Sequence, residues 1–395
     1  MNISELSPEL ASAYLPPELQ LVTKLNGDAS ARLSADGDME AEATLALASG
    51  KLILASDTEP VEIGLEQTTV DASWRGDKGT VELVAALTDF GTVNVQGAIS
   101  EPAGAGRVSG LLNADFADLT LISAFVPQIQ EVTGALNSNL TVSGTVQNPQ
   151  IEGELALADF SAEIPETAML IENTQFVISG SPDGTLLLKG SSHSGAGQLD
   201  INGRFDASNR TLELNVNGDQ YEVANTALMQ ATVSPELSIA MDDKGMDVTG
   251  AVTIPSAYIN ANGGNEGIKT VSSSSDVVYV SEEDEQAETA PSQISLDVQV
   301  NLGDSIEVEA GDFRGRLEGD LRVEQTPELA PRGTGTITVV NGDYVIYGQQ
   351  LDMERGKILF SGGPVDNPSL DMQVARTVQE YEAVSYTHLT LPTKA

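Results

Sequence analysis

The stretch Asp312-Phe313-Arg314-Gly315-Arg316-Leu317-Glu318-Gly319-Asp320-Leu321-Arg322-Val323-Glu324 alternates without an error: every even position is charged, and every odd position is apolar or Gly. A helix would scatter these residues around its circumference. An extended strand sorts them onto one wet face and one apolar face, because successive side chains point to opposite sides. The same period of two recurs outward in both directions. Ile294, Leu296, Val298 and Val300 alternate with Ser295, Asp297, Gln299 and Asn301, and Val248, Gly250, Val252 and Ile254 repeat the pattern. So do Leu212, Leu214 and Val216; Leu199, Ile201, Gly203 and Phe205; and Ile151, Gly153, Leu155 and Leu157. One wet face per strand predicts antiparallel sheet and argues against the two-sided burial of parallel α/β architectures. Helical periodicity is limited to residues 7–13 and 119–132, each containing or followed by Pro. Asn26-Gly27, Asp36-Gly37, Pro182-Asp183-Gly184, Asn217-Gly218 and Asn341-Gly342 are expected to be hairpin turns.

Composition removes several classes of function. The 59 acidic and 19 basic residues leave a net charge of −40, which opposes binding to a phosphate backbone, so no nucleic-acid partner is expected. With no Cys, thiolate chemistry and Cys-ligated metals are excluded. The two histidines, His193 and His388, are too few and too far apart in sequence for a multi-histidine metal site. No catalytic residue, metal site or cofactor is assigned, and no enzyme is expected. No apolar run approaches the roughly 20 residues of a membrane-spanning helix, and the opening residues lack the pattern of a cleavable signal peptide.

An internal repeat organises the chain. Tyr14-Leu15-Pro16 precedes Phe125-Val126-Pro127 by 111 positions, and residues 90–99 match residues 196–205 in their Gly and apolar positions at an offset of 106. A period near 110 implies stacked modules of strands with short helices between them. The resulting division is 1–110 and 111–259 as β-repeat modules, 260–293 as an acidic, Ser-rich insertion or linker, 294–384 as a C-terminal β-region, and 385–395 as a non-native tail without acidic residues.

Residues 331–376 carry the most specific pattern. It includes Gly335, Asn341, Gly342, Tyr344, Tyr347, Gly348, Gln349, Leu351, Gly356, Phe360, Gly362, Asn367, Pro368, Leu370 and Arg376. This run resembles the C-terminal region of the TamB family, the inner-membrane-anchored subunit of the translocation and assembly module of diderm bacteria. On the residues themselves, Asn341-Gly342 suits a tight turn, Gly356 a second one, and Arg376 a pairing with a carboxylate or a lipid phosphate.

The resemblance implies an all-β fold: an elongated, curved antiparallel β-sheet trough of β-taco-like repeats with short helices between modules. It also implies a periplasmic location, anchored to the inner membrane through an N-terminal segment absent from this chain. Read from the residues alone, the apolar stripes are expected to close on each other as a sandwich core. If the trough stays open, its lipid-groove residues are Leu155, Leu157, Ile201, Leu214, Val252, Ile294, Leu296, Val298, Leu317 and Leu321. With few aromatics and many aliphatics such a surface suits acyl chains, so a phospholipid in transit to the outer membrane is the expected partner. The alternative is an assembly or secretion factor that acts with a TamA-like outer-membrane barrel on outer-membrane or autotransporter proteins.

Overall fold

The computed structural model describes residues 2–6, 19–34, 39–54, 60–66, 68–126, 128–262, 293–327, 329–346, 349–378 and 381–390. It is nearly all β, and it divides into two units, Met1–Ser194 with Asp200–Leu214, and Gly195–Leu199 with Asn215–Ala395. In neither do the terminal strands of the described ladder pair with each other, so neither closes into a barrel.

The first unit contains β1 (Asn2–Leu6), β2 (Leu19–Val22), β3 (Leu25–Leu33), β4 (Met39–Leu47), β5 (Gly50–Leu54), β6 (Val61–Leu65), β7 (Thr68–Arg75), β8 (Lys78–Leu87), β9 (Gly91–Ser100) and β10 (Arg107–Phe116). After helix α1 (Ile122–Phe125) come β11 (Gln130–Gly144), β12 (Pro149–Ile164), β13 (Met169–Gly180) and β14 (Thr185–Ser194). All pair antiparallel as a sequential meander. β2 with β3, β4 with β5, and β6 with β7 act as single long strands interrupted side by side, since β3 pairs with β4 and β4 with β7, while β2 pairs with β5 and β5 with β6. From β7 the ladder runs strand by strand to β14.

Helix α1 is far shorter than the 119–132 periodicity suggested. Its C-cap, Val126, leaves helical space with φ −128° and ψ 81°, outside the α region that a following Pro disfavours, and Gln130 already begins β11. The second expected helix, at 7–13, lies outside the described residues. Around α1 sits a clustered core. Leu119, Val132 and Ala162 are buried, and Phe116, Ile122, Ile129, Leu136, Leu157 and Phe160 pack against them.

β15 (Gly197–Asp206) and β16 (Thr211–Asp219) carry residues of both units. The second unit continues with β17 (Tyr221–Asn225), β18 (Met229–Asp242), β19 (Gly245–Asn260), β20 (Ile294–Ala310), β21 (Phe313–Gln325), β22 (Arg332–Ile346), β23 (Gln349–Pro364), β24 (Ser369–Val378) and β25 (Tyr381–Thr390). Its ladder is antiparallel at every described pair but one: β19 and β20 run parallel, from Met246↔Ile294 to Asn260↔Glu309. Residues 385–390 lie in β25, paired with β24. Most of the acidic segment between β19 and β20 falls outside the described residues.

Turn chemistry departs from expectation in an instructive way. Pro182-Asp183-Gly184 does make the β13–β14 turn, with Gly184 N–H donating to the Ser181 carbonyl at 3.0 Å. Asn26-Gly27 and Asn217-Gly218 instead lie inside β3 and β16. A Cβ on Gly27 would stand 2.3 Å from the Thr44 carbonyl oxygen, so this Gly serves close strand approach. Asn341-Gly342 is a bulge within β22: Val340 pairs with Arg316 and Asp343 with Arg314, and Asn341 adopts φ +52°. Gly356 is likewise inside β23, where a Cβ would lie 2.8 Å from Val339 Cβ. Asp36-Gly37 is outside the described residues.

Two glycines of the apolar stripes are required by backbone. Gly153 and Gly250 have φ +107° and +133°, and a Cβ on either would approach a neighbouring carbonyl oxygen to 2.0 and 2.1 Å respectively. The charged face is laced across strands instead. Arg322 of β21 donates from Nε and Nη2 to the two carboxylate oxygens of Asp297 on β20, both at 2.8 Å. These hydrogen bonds outweigh the opposing desolvation and, with the attraction of the guanidinium, hold the Asp297 carboxyl below its ordinary value.

Two expectations follow for stability. Gly153→Ala lowers the unfolding free energy by about 1–3 kcal/mol, read as a lower midpoint in denaturant; an unchanged midpoint contradicts the strained geometry. Because the Asp297 carboxyl is depressed in the folded state, its contribution is present above the unfolded value of about 3.9 and is lost as pH falls through the folded value. The gap in denaturation midpoint between wild type and Asp297→Asn therefore narrows in acid and is constant at neutral pH. A gap independent of pH refutes the linkage.

Candidate functional site

Register aligns the alternating stripes into continuous rows across the first unit. One row is Gly27, Leu45, Val70, Leu83, Val95, Leu112 and Leu140, each opposite the next across β3, β4 and β7 to β11. Two residues along lies a row of smaller side chains: Ala29, Ala43, Ala72, Val81, Gly97, Gly110 and Val142. The neighbouring row on the opposite face is mostly polar, with Asp28, Thr44, Asp71, Glu82 and Gln96 all exposed.

The small-residue rows form the floor of a groove of about 1120 Å³. Trp74 makes a step in it: a Cβ on Gly79 would lie 2.6 Å from its Cε3, so the indole lies over Gly79, with its Nε1 donating to the Gly76 carbonyl at 2.8 Å. The stripes do not close as a sandwich core. Packing against a second sheet would drive their central residues to full burial; here the whole Leu45–Leu140 row is only half-buried, and Val81 in the groove is 43% exposed.

The second unit repeats the arrangement. Pro235, Val252, Val300, Leu321, Gly335 and Phe360 form one row across β18 to β23. Leu237, Gly250, Val298, Val323, Gly333 and Gly363 form the next.

The residues singled out from sequence fall into two settings. Leu155 lies opposite Ser138 and Ile178 on the half-buried apolar face of the first unit. Leu157, two residues on, packs against the Leu119 cluster and so lies beside covered surface. Ile201 is half-buried in β15, and Leu214 sits where a Cβ on Gly203 would come within 2.3 Å of its Cδ2. In the second unit Val252, Ile294, Leu296 and Leu321 are half-buried, and Val298 is 7% exposed. Leu317 pairs with the buried Ile306 and Val339.

The motif residues lie in β22 to β24 and the connections between them. Tyr344 lies between Phe313 and Leu351, and Gly335 between Leu321 and Phe360. Gln349 opens β23, Gly362 has φ +83°, and Asn367 N–H donates to the Pro364 carbonyl at 3.1 Å ahead of Pro368. Tyr347 and Gly348 lie outside the described residues, as does the side chain of Arg376, whose backbone pairs with Ala383. His193 is exposed on β14 opposite Glu172. Among the described residues no group of three metal-ligating side chains occurs, and no helix is long and apolar enough to cross a membrane.

Sequence reading concentrated on Leu, Ile and Val beyond residue 150 and passed over the Ala and Gly floor of β3 to β10. The signal was present as Ala29-Ser30-Ala31 and Ala41-Glu42-Ala43, small residues at a period of two.

A family model described as the TamB C-terminal domain matches residues 188–391, and one described as the TamB N-terminal domain matches residues 1–157. A curated relative, the translocation and assembly module subunit TamB of Haemophilus influenzae, is 23% identical over 289 residues, which is 70% of this chain and 22% of the relative. The chain thus spans about a fifth of that protein's length. With the C-terminal family model alone covering just over half of its residues, the chain belongs to the TamB family.

Proposed function

We propose that this chain is the periplasmic part of a translocation and assembly module subunit, and that its apolar face shields phospholipid acyl chains on their way to the outer membrane. The observation that carries this reading is the register-aligned aliphatic surface left half-exposed in a chain of net charge −40. An exposed apolar face of this extent is unfavourable in water, and an acyl chain gains about 0.8 kcal/mol per buried methylene without any geometric match. The role is one of carriage rather than catalysis.

A second reading is favoured by the word assembly in the relative's name. In it the chain works with a TamA-like barrel and hands over outer-membrane protein strands by edge pairing. The two separate in one experiment. Chain extracted gently carries phospholipid, and Val81→Asp, placed in the groove at an exposed position, lowers bound lipid several-fold while the unfolding midpoint stays within a few degrees. Lipid-free wild-type chain, together with capture of a barrel protein by a crosslinker at Tyr344, overturns the carrier reading.

A further inference from the structure

The polar face of the first unit carries a group of hydrogen-bonding side chains that the fold does not use. Pairing across β9 to β12 aligns Asn94, Asn113, Asn139 and Glu154 in one row, and Thr92, Asp115, Asn137 and Ala156 in the next. Strand parity puts both rows on the face opposite Val95, Leu112 and Leu140. Together they line a recess of about 410 Å³. Three strand spacings of about 4.8 Å make it roughly 14 Å long, and the two rows stand about 7 Å apart. Although the amides of Asn94, Asn113 and Asn139 are direct cross-strand neighbours, none of the polar side chains in these rows makes a hydrogen bond within the protein among the described residues. Asn94 Oδ1 is moreover shielded from solvent and has no donor, a destabilising state for a polar atom that calls for an explanation.

The chemistry of the recess narrows what it takes. Each amide donates through its nitrogen and accepts through its oxygen, each carboxylate accepts, and the Thr92 hydroxyl does both. A ligand that satisfies such a set carries donors and acceptors side by side at short intervals, which is the character of a chain of sugar hydroxyls. None of the lining residues is basic, and Asp115 and Glu154 repel an anion, so phosphorylated and uronic-acid ligands are disfavoured. A single cation does not match either. Asp115 and Glu154 stand two strands and one row apart, about 12 Å between Cα atoms, whereas a calcium ion gathers its oxygens within about 2.6 Å. Apolar lining is limited to Ala114 and Ala156, too little to hold an acyl chain.

We propose that this recess binds a neutral oligosaccharide, with its hydroxyls along the amide row from Asn94 to Asn139 and its end against Glu154. Asn94 Oδ1 then accepts the hydroxyl proton that the protein itself does not supply. The recess and the apolar groove lie on opposite faces of one sheet, so a sugar and an acyl chain do not compete for space. The inference stands without the carrier reading above.

The test titrates the full chain with maltotetraose, with chitotetraose and with calcium chloride, by calorimetry and by the shift of the unfolding midpoint. The two sugars separate plain hydroxyl recognition from recognition of an acetamide. Wild type binds at least one of them, its midpoint rises with that sugar, and calcium leaves it unmoved. Asn113→Ala with Asn139→Ala weakens the sugar about tenfold, the loss expected of two hydrogen bonds. Asn94→Ala separates binding from folding. It removes an unsatisfied acceptor, so the midpoint of the free chain rises or holds while affinity for the sugar falls, the opposite of what a structural amide would show. Val81→Asp, on the other face, leaves sugar binding unchanged. Failure of wild type to bind either tetrasaccharide, a midpoint raised by calcium in their place, or amide variants that bind as wild type does overturns the inference and leaves the carrier reading untouched.

Discussion

Everything in this protein depends on register. Because a strand's side chains alternate sides, two strands put their apolar residues on a common face only if their pairing keeps parity, and a slip of one residue in any strand would turn its whole stripe into water. The ladder of β9 and β10 runs through ten consecutive pairs, from Ser100↔Arg107 to Gly91↔Phe116, without a shift. Where register does shift, as between Arg314 and Arg316 opposite the Asn341-Gly342 bulge, the extra residue is absorbed by positive φ and the stripe resumes beyond it. The same rule gathers the polar and charged positions of each strand onto the other face, as with Asp28, Thr44, Asp71, Glu82 and Gln96.

The strands and their faces were legible in the sequence because period two is a local property: the stretches around Leu155, Val252, Val298 and Leu321 each lie within a single observed strand. Strand direction was not legible. An alternating stretch reads the same whichever way its neighbour runs, so nothing in Val248 to Ile254 or Ile294 to Val300 marks β19 and β20 as the parallel pair. Asn-Gly was misleading for a related reason. Positive φ and tight approach are needed inside a twisted strand as well as at its end, and the dipeptide reports only the backbone requirement. Whether apolar stripes meet each other or stay apart is a long-range fact that periodicity does not contain.

The apolar face is therefore not uniform. Leu119, Val132 and Ala162 in the first unit, and Ile306 with Val339 in the second, are buried as an ordinary core would be, and these patches hold the sheet together. The Ala and Gly rows between Ala29 and Gly110 do the reverse, since small side chains leave a groove above the sheet that the described residues do not fill. Stability and capacity are thus assigned to different residues of one surface.

The parallel step sets a minimum on chain length. To begin β20 beside Met246, the chain leaving Asn260 must travel back over 14 strand positions, about 46 Å at 3.3 Å each. A fully extended chain covers that with about 14 residues, whereas 33 separate Asn260 from Ile294. The return therefore requires fewer than half of the residues that the sequence places there, so the number of residues between the two strands can shrink considerably before it limits a single rung of the ladder.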